Sequence, residues 1–229
     1  MEDEHQKLTL AQSGDNHPRP ADLLGPWGGV GAFFAAYVTS YLLYQICLVP
    51  LLIDNLDDLM KRGFAWNLSL LMIGGSIYWI FPETRREFRL DISLRSGIFA
   101  VIFGIVSVNA VGWVQTQVGF IEGFNRSPIT ILQAVILAPI LEEFFCRGIM
   151  LNALLRKNNV VLAVLIESVL FGSCHESFWA GFSGQVLLCI IFLLFRRSLL
   201  VSWIAHFSLN CAVMFPEWFM LSSLRGVHH

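Results

Sequence analysis

Residues 127–155 read SPITILQAVILAPILEEFFCRGIMLNALL, an apolar run broken once, at Leu141-Glu142-Glu143-Phe144-Phe145-Cys146-Arg147. About 20 mostly apolar residues suffice to cross a bilayer as a helix. Three charges inside one such run would cost about 2.5–3.5 kcal/mol each at the membrane centre on insertion scales. They therefore need partners within the protein. Glu143 and Arg147 stand at i, i+4, which suits an ion pair along one helical face. Glu142 lies about 100° further round the helix and needs a partner on another helix. Pro139, just upstream, has no N–H and opposes the carbonyl of Val135 in regular helical register. A carbonyl freed there, beside two acids, is a place for a water.

The rest of the chain repeats the apolar theme. Candidate spans run over 27–53, 64–81, 96–121, 160–179, a shorter 184–195 that begins nearer Ser177, and 199–215. With 127–155 they predict an all-α fold, a polytopic membrane bundle of about seven transmembrane helices. Composition agrees. Of the 229 residues, 55% are hydrophobic and only 14% charged, against about 25% charged in soluble domains. Mean hydropathy is +0.63. The net charge of −2 offers no basic surface to nucleic acid, and the lipid bilayer is the expected surrounding. The domain reading is a polar, disordered tail over 1–25, a helical domain over 26–217 whose catalytic part is 127–215, and a short tail over 218–229. The first tail contains His17-Pro18-Arg19-Pro20, which breaks regular structure, and lacks the order of a secretory signal.

Cys47, Cys146, Cys174, Cys189 and Cys211 all sit in apolar runs without metal or redox spacing, so they read as buried thiols. Loop charge sets the orientation. With the N-terminus cytoplasmic, the inner segments hold Lys7, Arg19, Arg85, Arg86, Arg89, Arg95, Arg156, Lys157, Arg196 and Arg197. The outer ones hold Lys61, Arg62, Arg126 and Arg225. That bias supports an inward N-terminus.

Further polar residues recur at helical spacing in two later spans. Glu167, Phe171 and His175 fall at i, i+4 and i+8 on one face, and His206 and Asn210 at i, i+4 on another helix. Glu and His drawn from separate apolar helices suit one chemistry in particular. A carboxylate beside an imidazole acts as general base on a water, and imidazole or amide N–H groups stabilise an oxyanion. Ser168, Ser173 and Ser208 lie near these residues but in no nucleophile motif. Glu142, His175 and His206 are also the ligand types of a catalytic zinc site. They lack the His-Glu-x-x-His spacing of zincins, which favours a glutamate-based mechanism and leaves zinc as the alternative.

Glu-Glu-x-x-x-Arg (Glu142, Glu143, Arg147), Phe-x-x-x-His (Phe171, His175) and His-x-x-x-Asn (His206, Asn210), in that order, resemble the signature of the CAAX protease and bacteriocin-processing family of membrane peptidases, also called the Abi family. The likeness covers roughly 131–213. It implies an endopeptidase sunk in the bilayer and open to the cytoplasm, acting on a membrane-associated protein or peptide, prenylated substrates included. It implies that Glu142 activates water with His175, that His206 and Asn210 steady the oxyanion, and that Glu143 and Arg147 hold the acid in place. Phe171 and Glu167 would support the site. Two other classes fit the same residues: a non-catalytic scaffold or immunity protein, and a proton-coupled transporter. The transporter would be expected to carry internal repeats, which this sequence lacks.

Overall fold

The computed structural model describes residues 25–48, 58–81, 88–117 and 127–215. Expectations for the two tails lie outside these residues. Seven helices occur among them. Helix α1 (Pro26–Leu42) has its proline in the first turn, where no N–H is needed, and continues in π geometry over Leu43–Leu48. Helices α2 (Asp58–Ile80) and α3 (Leu94–Gln117) follow. Helix α4 (Pro128–Leu155) is the longest. Helices α5 (Val160–Ser173), α6 (Phe178–Leu194) and α7 (Leu199–Met214) complete the bundle.

Side-chain caps fix where the last four helices start. Ser127, Asn159, Ser177 and Ser198 each accept a hydrogen bond from a backbone N–H in the first turn that follows. Each such cap contributes about 1 kcal/mol. The Ser177 cap explains why α6 begins there, well before the apolar run at Gly184. The expected span over 160–179 is divided at Ser173, where α5 ends. Segments of α2 and α3 and the whole of α4 are long and apolar enough to cross a membrane. The others among α4–α7 are shorter. The 14 residues of α5 rise about 21 Å at 1.5 Å per residue.

Helix α4 lies at the centre. Its buried Phe145, Cys146, Ile149, Met150, Leu151 and Leu154 pack against Phe33 of α1, Leu70 of α2, Phe171 of α5 and Phe192 of α6. Helix α3 presses on α7 so closely that a methyl group at Gly104 would meet the carbonyl of Ala205. Such small-residue contacts are how helices associate tightly in lipid. Large apolar side chains, among them Trp27, Trp79, Leu94, Val161 and Leu194, point outward. Apolar outside and charged inside is the arrangement that a bilayer demands.

The bundle has two distinguishable ends. Gly29 of α1 packs on Met150 and Ala153, near the end of α4, while Gly63 of α2 packs on Gln133, near its start. The connector before α3 joins the α6–α7 turn through a bridge of Arg89 with Ser198, where Leu199 N–H donates to the Arg89 carbonyl at 2.8 Å. Four-residue turns link α4 to α5, α5 to α6 and α6 to α7, and turns this short make antiparallel neighbours. The α4–α5 and α6–α7 turns therefore share one end with the start of α1. The α5–α6 turn lies at the other.

Candidate active site

The site grows from a fault in α4. Residues Gln133–Leu137 adopt π geometry, and the Ala138 N–H donates to the Gln133 carbonyl, five residues back. In that register the next donor, to the Ala134 carbonyl, would be residue 139. It is a proline. The orphaned acceptor is therefore Ala134 rather than Val135, because the π turn advances the register by one residue. Asn210 Nδ2 donates to it at 2.7 Å. The amide of Asn210 thus fastens α7 to the break in α4, where the sequence suggested a water. A second π segment, Phe144–Leu151, begins directly after the two acids. Such bulges are frequent at functional sites, where they re-aim side chains.

Between the two faults stand Glu142 and Glu143, both buried. Glu143 is fully engaged. Its Oε1 lies 2.9 Å from Arg147 Nη1 and 2.8 Å from His206 Nδ1, and its Oε2 accepts from the Ser202 hydroxyl. The i, i+4 pair expected from the sequence is formed. Arg147 has no exposed surface and also lies 3.9 Å from Glu167 by its Nε. Its nitrogens make no aligned hydrogen bond among the described residues, so these contacts are charge pairs. Glu167 is held in turn by Gln185 Nε2 at 2.8 Å and by the Cys189 thiol.

Glu142 is loosely held by comparison. Its Oε1 accepts from the Trp66 indole N–H at 3.3 Å, and its Oε2 lies 3.7 Å from His206 Nε2. The tautomer of His206 follows from its other side. A carboxylate only accepts, so Nδ1 carries a proton toward Glu143, and Nε2 is directed at Glu142. The resulting order is Glu142, His206, Glu143, Arg147, Glu167, running through α4, α7 and α5. A carboxylate behind an imidazole is the arrangement that fixes its tautomer and ring orientation.

His175 lies past the end of α5 and is exposed. Its Nδ1 is 2.8 Å from the Phe171 carbonyl, which must be the acceptor, so Nε2 keeps a free lone pair when the ring is neutral. The ring stacks on Phe171 with centroids 4.2 Å apart and approaches Gly181 of α6. Glu167, Phe171 and His175 do share a face. Among the described residues, however, direct polar contacts join Glu142 to His206 and Trp66, not to His175. Nor are any three of His, Cys, Asp and Glu there arranged to hold a metal ion.

Sequence reasoning passed over Trp66, Ser202, Gln185 and Cys189. Ser202 carried a signal, since Ser202, His206 and Asn210 follow one another at i, i+4. The other three reach the site by packing alone.

This geometry sits in a recognisable segment. Residues 124–212 match the family model of the type II CAAX prenyl endopeptidases, Rce1-like. The Rce1-like segment contains Glu142, Glu143, Arg147, Glu167, Phe171, His175, His206 and Asn210, and Trp66 lies outside it. The match agrees with the resemblance drawn from the three motifs, and the kind of protein it points to is a CAAX-type intramembrane protease. No curated protein and no solved structure matches the chain.

Proposed function

We propose that this chain is a membrane-embedded endopeptidase that hydrolyses a peptide bond of a membrane-associated or lipidated protein, prenylated substrates included in that class. The observation that carries the reading is the order Glu142, His206, Glu143, Arg147. It supplies a loosely held carboxylate facing an imidazole whose far side is fixed. A water within reach of both Glu142 Oε2 and His206 Nε2 gives its proton to Glu142 as it attacks the carbonyl carbon. The amide π electrons move onto oxygen, forming the tetrahedral intermediate. Protonated at Nε2 and backed by Glu143, His206 donates to that oxyanion. The second amide hydrogen of Asn210 is available for the same task. His175, with its free Nε2, assists Glu142 with the water. As the C–N bond breaks, Glu142 returns its proton to the leaving amine. Loop charge supports an N-terminus in the cytoplasm.

The test is hydrolysis of a lipidated peptide, carrying a fluorophore and quencher, by the purified full chain in detergent. Cleavage is expected for the wild type and its loss for Glu142→Gln, with unchanged thermal stability. Chelation by EDTA is expected to leave the rate within about twofold. Cleavage that survives Glu142→Gln would sink the proposed base, and activity lost to EDTA and restored by zinc would sink the metal-free step.

A further inference from the structure

The polar order described above is lopsided along the membrane normal. Toward the end of the bundle that holds the start of α1, it is sealed. Glu143, Arg147, Glu167, Gln185 and Ser202 are each at most 1% exposed. Beyond Arg147, α4 continues as Ile149, Met150, Leu151, Ala153 and Leu154, each at most 3% exposed. Phe88 covers Gly148 at the same level. These buried side chains fill the described bundle between Glu142 and that end.

Toward the opposite end burial is less uniform: Ala212 and Met214 are buried, but other described residues are not. Trp66, Ala134 and Asn210 are half-buried, and His175 and Glu176 on the α5–α6 turn are exposed. His206 lies eight residues before Met214, the last residue of α7, a depth of about 12 Å at 1.5 Å per residue. Asn210 is one turn nearer the end. Glu142, His206, Asn210 and His175 thus form a series that rises from mid-bundle to the α5–α6 end.

The charged loops lie at the sealed end. Arg89 and Arg95 precede or open α3, Arg156 and Lys157 follow α4, and Arg196 and Arg197 lie between α6 and α7. At the open end the described cations are Lys61 and Arg62 at the start of α2. Basic loops are retained in the cytoplasm. The resemblance to CAAX proteases implied a site open to the cytoplasm, and the two features of this chain point the other way.

We infer that the site opens on the non-cytoplasmic face of the membrane. Its substrate is then a peptide segment, lipidated or not, displayed on that face, at or just inside the headgroup layer. This rests on the peptidase reading for the substrate, but the direction of opening stands on burial and charge alone.

Two cysteine variants of the full chain test it, Glu176→Cys at the open end and Asn158→Cys at the sealed end, both with Cys174→Ser to remove the nearby thiol. They are expressed in the plasma membrane of intact bacterial cells and treated with a membrane-impermeant maleimide. Glu176→Cys is expected to label at least tenfold more than Asn158→Cys, which should react only after permeabilisation. The reverse pattern, or equal labelling of both in intact cells, overturns the inference. If neither thiol reacts, protease-sensitive insertions at the same positions answer the question, with cleavage from outside expected at 176 and cleavage at 158 overturning it. A chain with the expected labelling that cleaves no peptide removes the peptidase reading and keeps the orientation. One that cleaves peptide but labels in reverse does the opposite.

Discussion

The two halves of α4 are built from similar residues and behave differently. Both carry a π segment, but the half before Glu142 is also broken by Pro139 and is mended from outside by Asn210. The half after Glu143 is buried on nearly every side. The adjacent acids fall on either side of that divide. Glu143 has three close partners and is a strut. Glu142 has two long contacts, at 3.3 and 3.7 Å, and keeps lone pairs for a water. Burying a carboxylate is expensive for both. What separates structure from chemistry is the number and closeness of the donors around each.

That contrast can be broken most directly at Glu142. Glu142→Gln is expected to lower kcat by about 10²–10⁴-fold, the scale of general-base catalysis. The melting temperature in detergent should barely change, since the amide still fits beside Trp66. A large loss of stability would mean that Glu142 is a strut as well. Next in size, Arg147→Ala removes the only cation shared by Glu143 and Glu167 among the described residues. Breaking such a buried pair costs about 3–5 kcal/mol, so expression and thermal stability should collapse. Asn210→Ala should lose much less, and equal losses would count against the shared ion pair.

Ser202→Ala sharpens the comparison from the strut side. It deletes one hydrogen bond to a charged group, worth about 1.5–3 kcal/mol, and should lower stability with a modest loss of rate. Smallest of all is Trp66→Phe, which keeps the edge-to-face packing on Phe33 and removes only the indole N–H. A fall in kcat of about tenfold with KM unchanged is expected, corresponding to about 1.4 kcal/mol. With ¹⁵N-labelled tryptophan, the indole resonance lost in Trp66→Phe should also shift in Glu142→Gln. An unmoved resonance would refute the contact.

The helices and the acid cluster were legible because lipid allows few alternatives to a helix and makes every buried charge conspicuous. The Glu143–Arg147 pair followed from spacing alone. The apolar runs opening at 127, 160 and 199 marked the starts of α4, α5 and α7, and the shorter sixth run was already expected to begin nearer Ser177, where α6 is capped. The orphaned carbonyl was assigned to Val135, since nothing in the composition of Gln133–Leu137 announces a π turn and the shift to Ala134 exists only in the hydrogen-bond register. Trp66 was invisible for another reason. It comes from α2, far from the motifs in sequence, and an indole N–H reaching a carboxylate depends on how two helices pack rather than on either one's pattern.

The modest lengths of α5 and α6, which expose large apolar side chains, carry a consequence for the surrounding lipid. At 14 and 17 residues, they rise about 21–26 Å, against a hydrocarbon layer of about 30 Å. Acyl chains bordering that side of the bundle must compress or tilt to meet them, at fractions of a kcal/mol per ångström of mismatch. The protein is therefore expected to hold a dimple in the bilayer on the flank formed by these helices. There the headgroups dip toward the depth of His206, and a hydrated polypeptide has less oil to cross. Shorter-chain phosphatidylcholines should relieve the mismatch, so the melting temperature should be higher in bicelles of short acyl chains than of long ones.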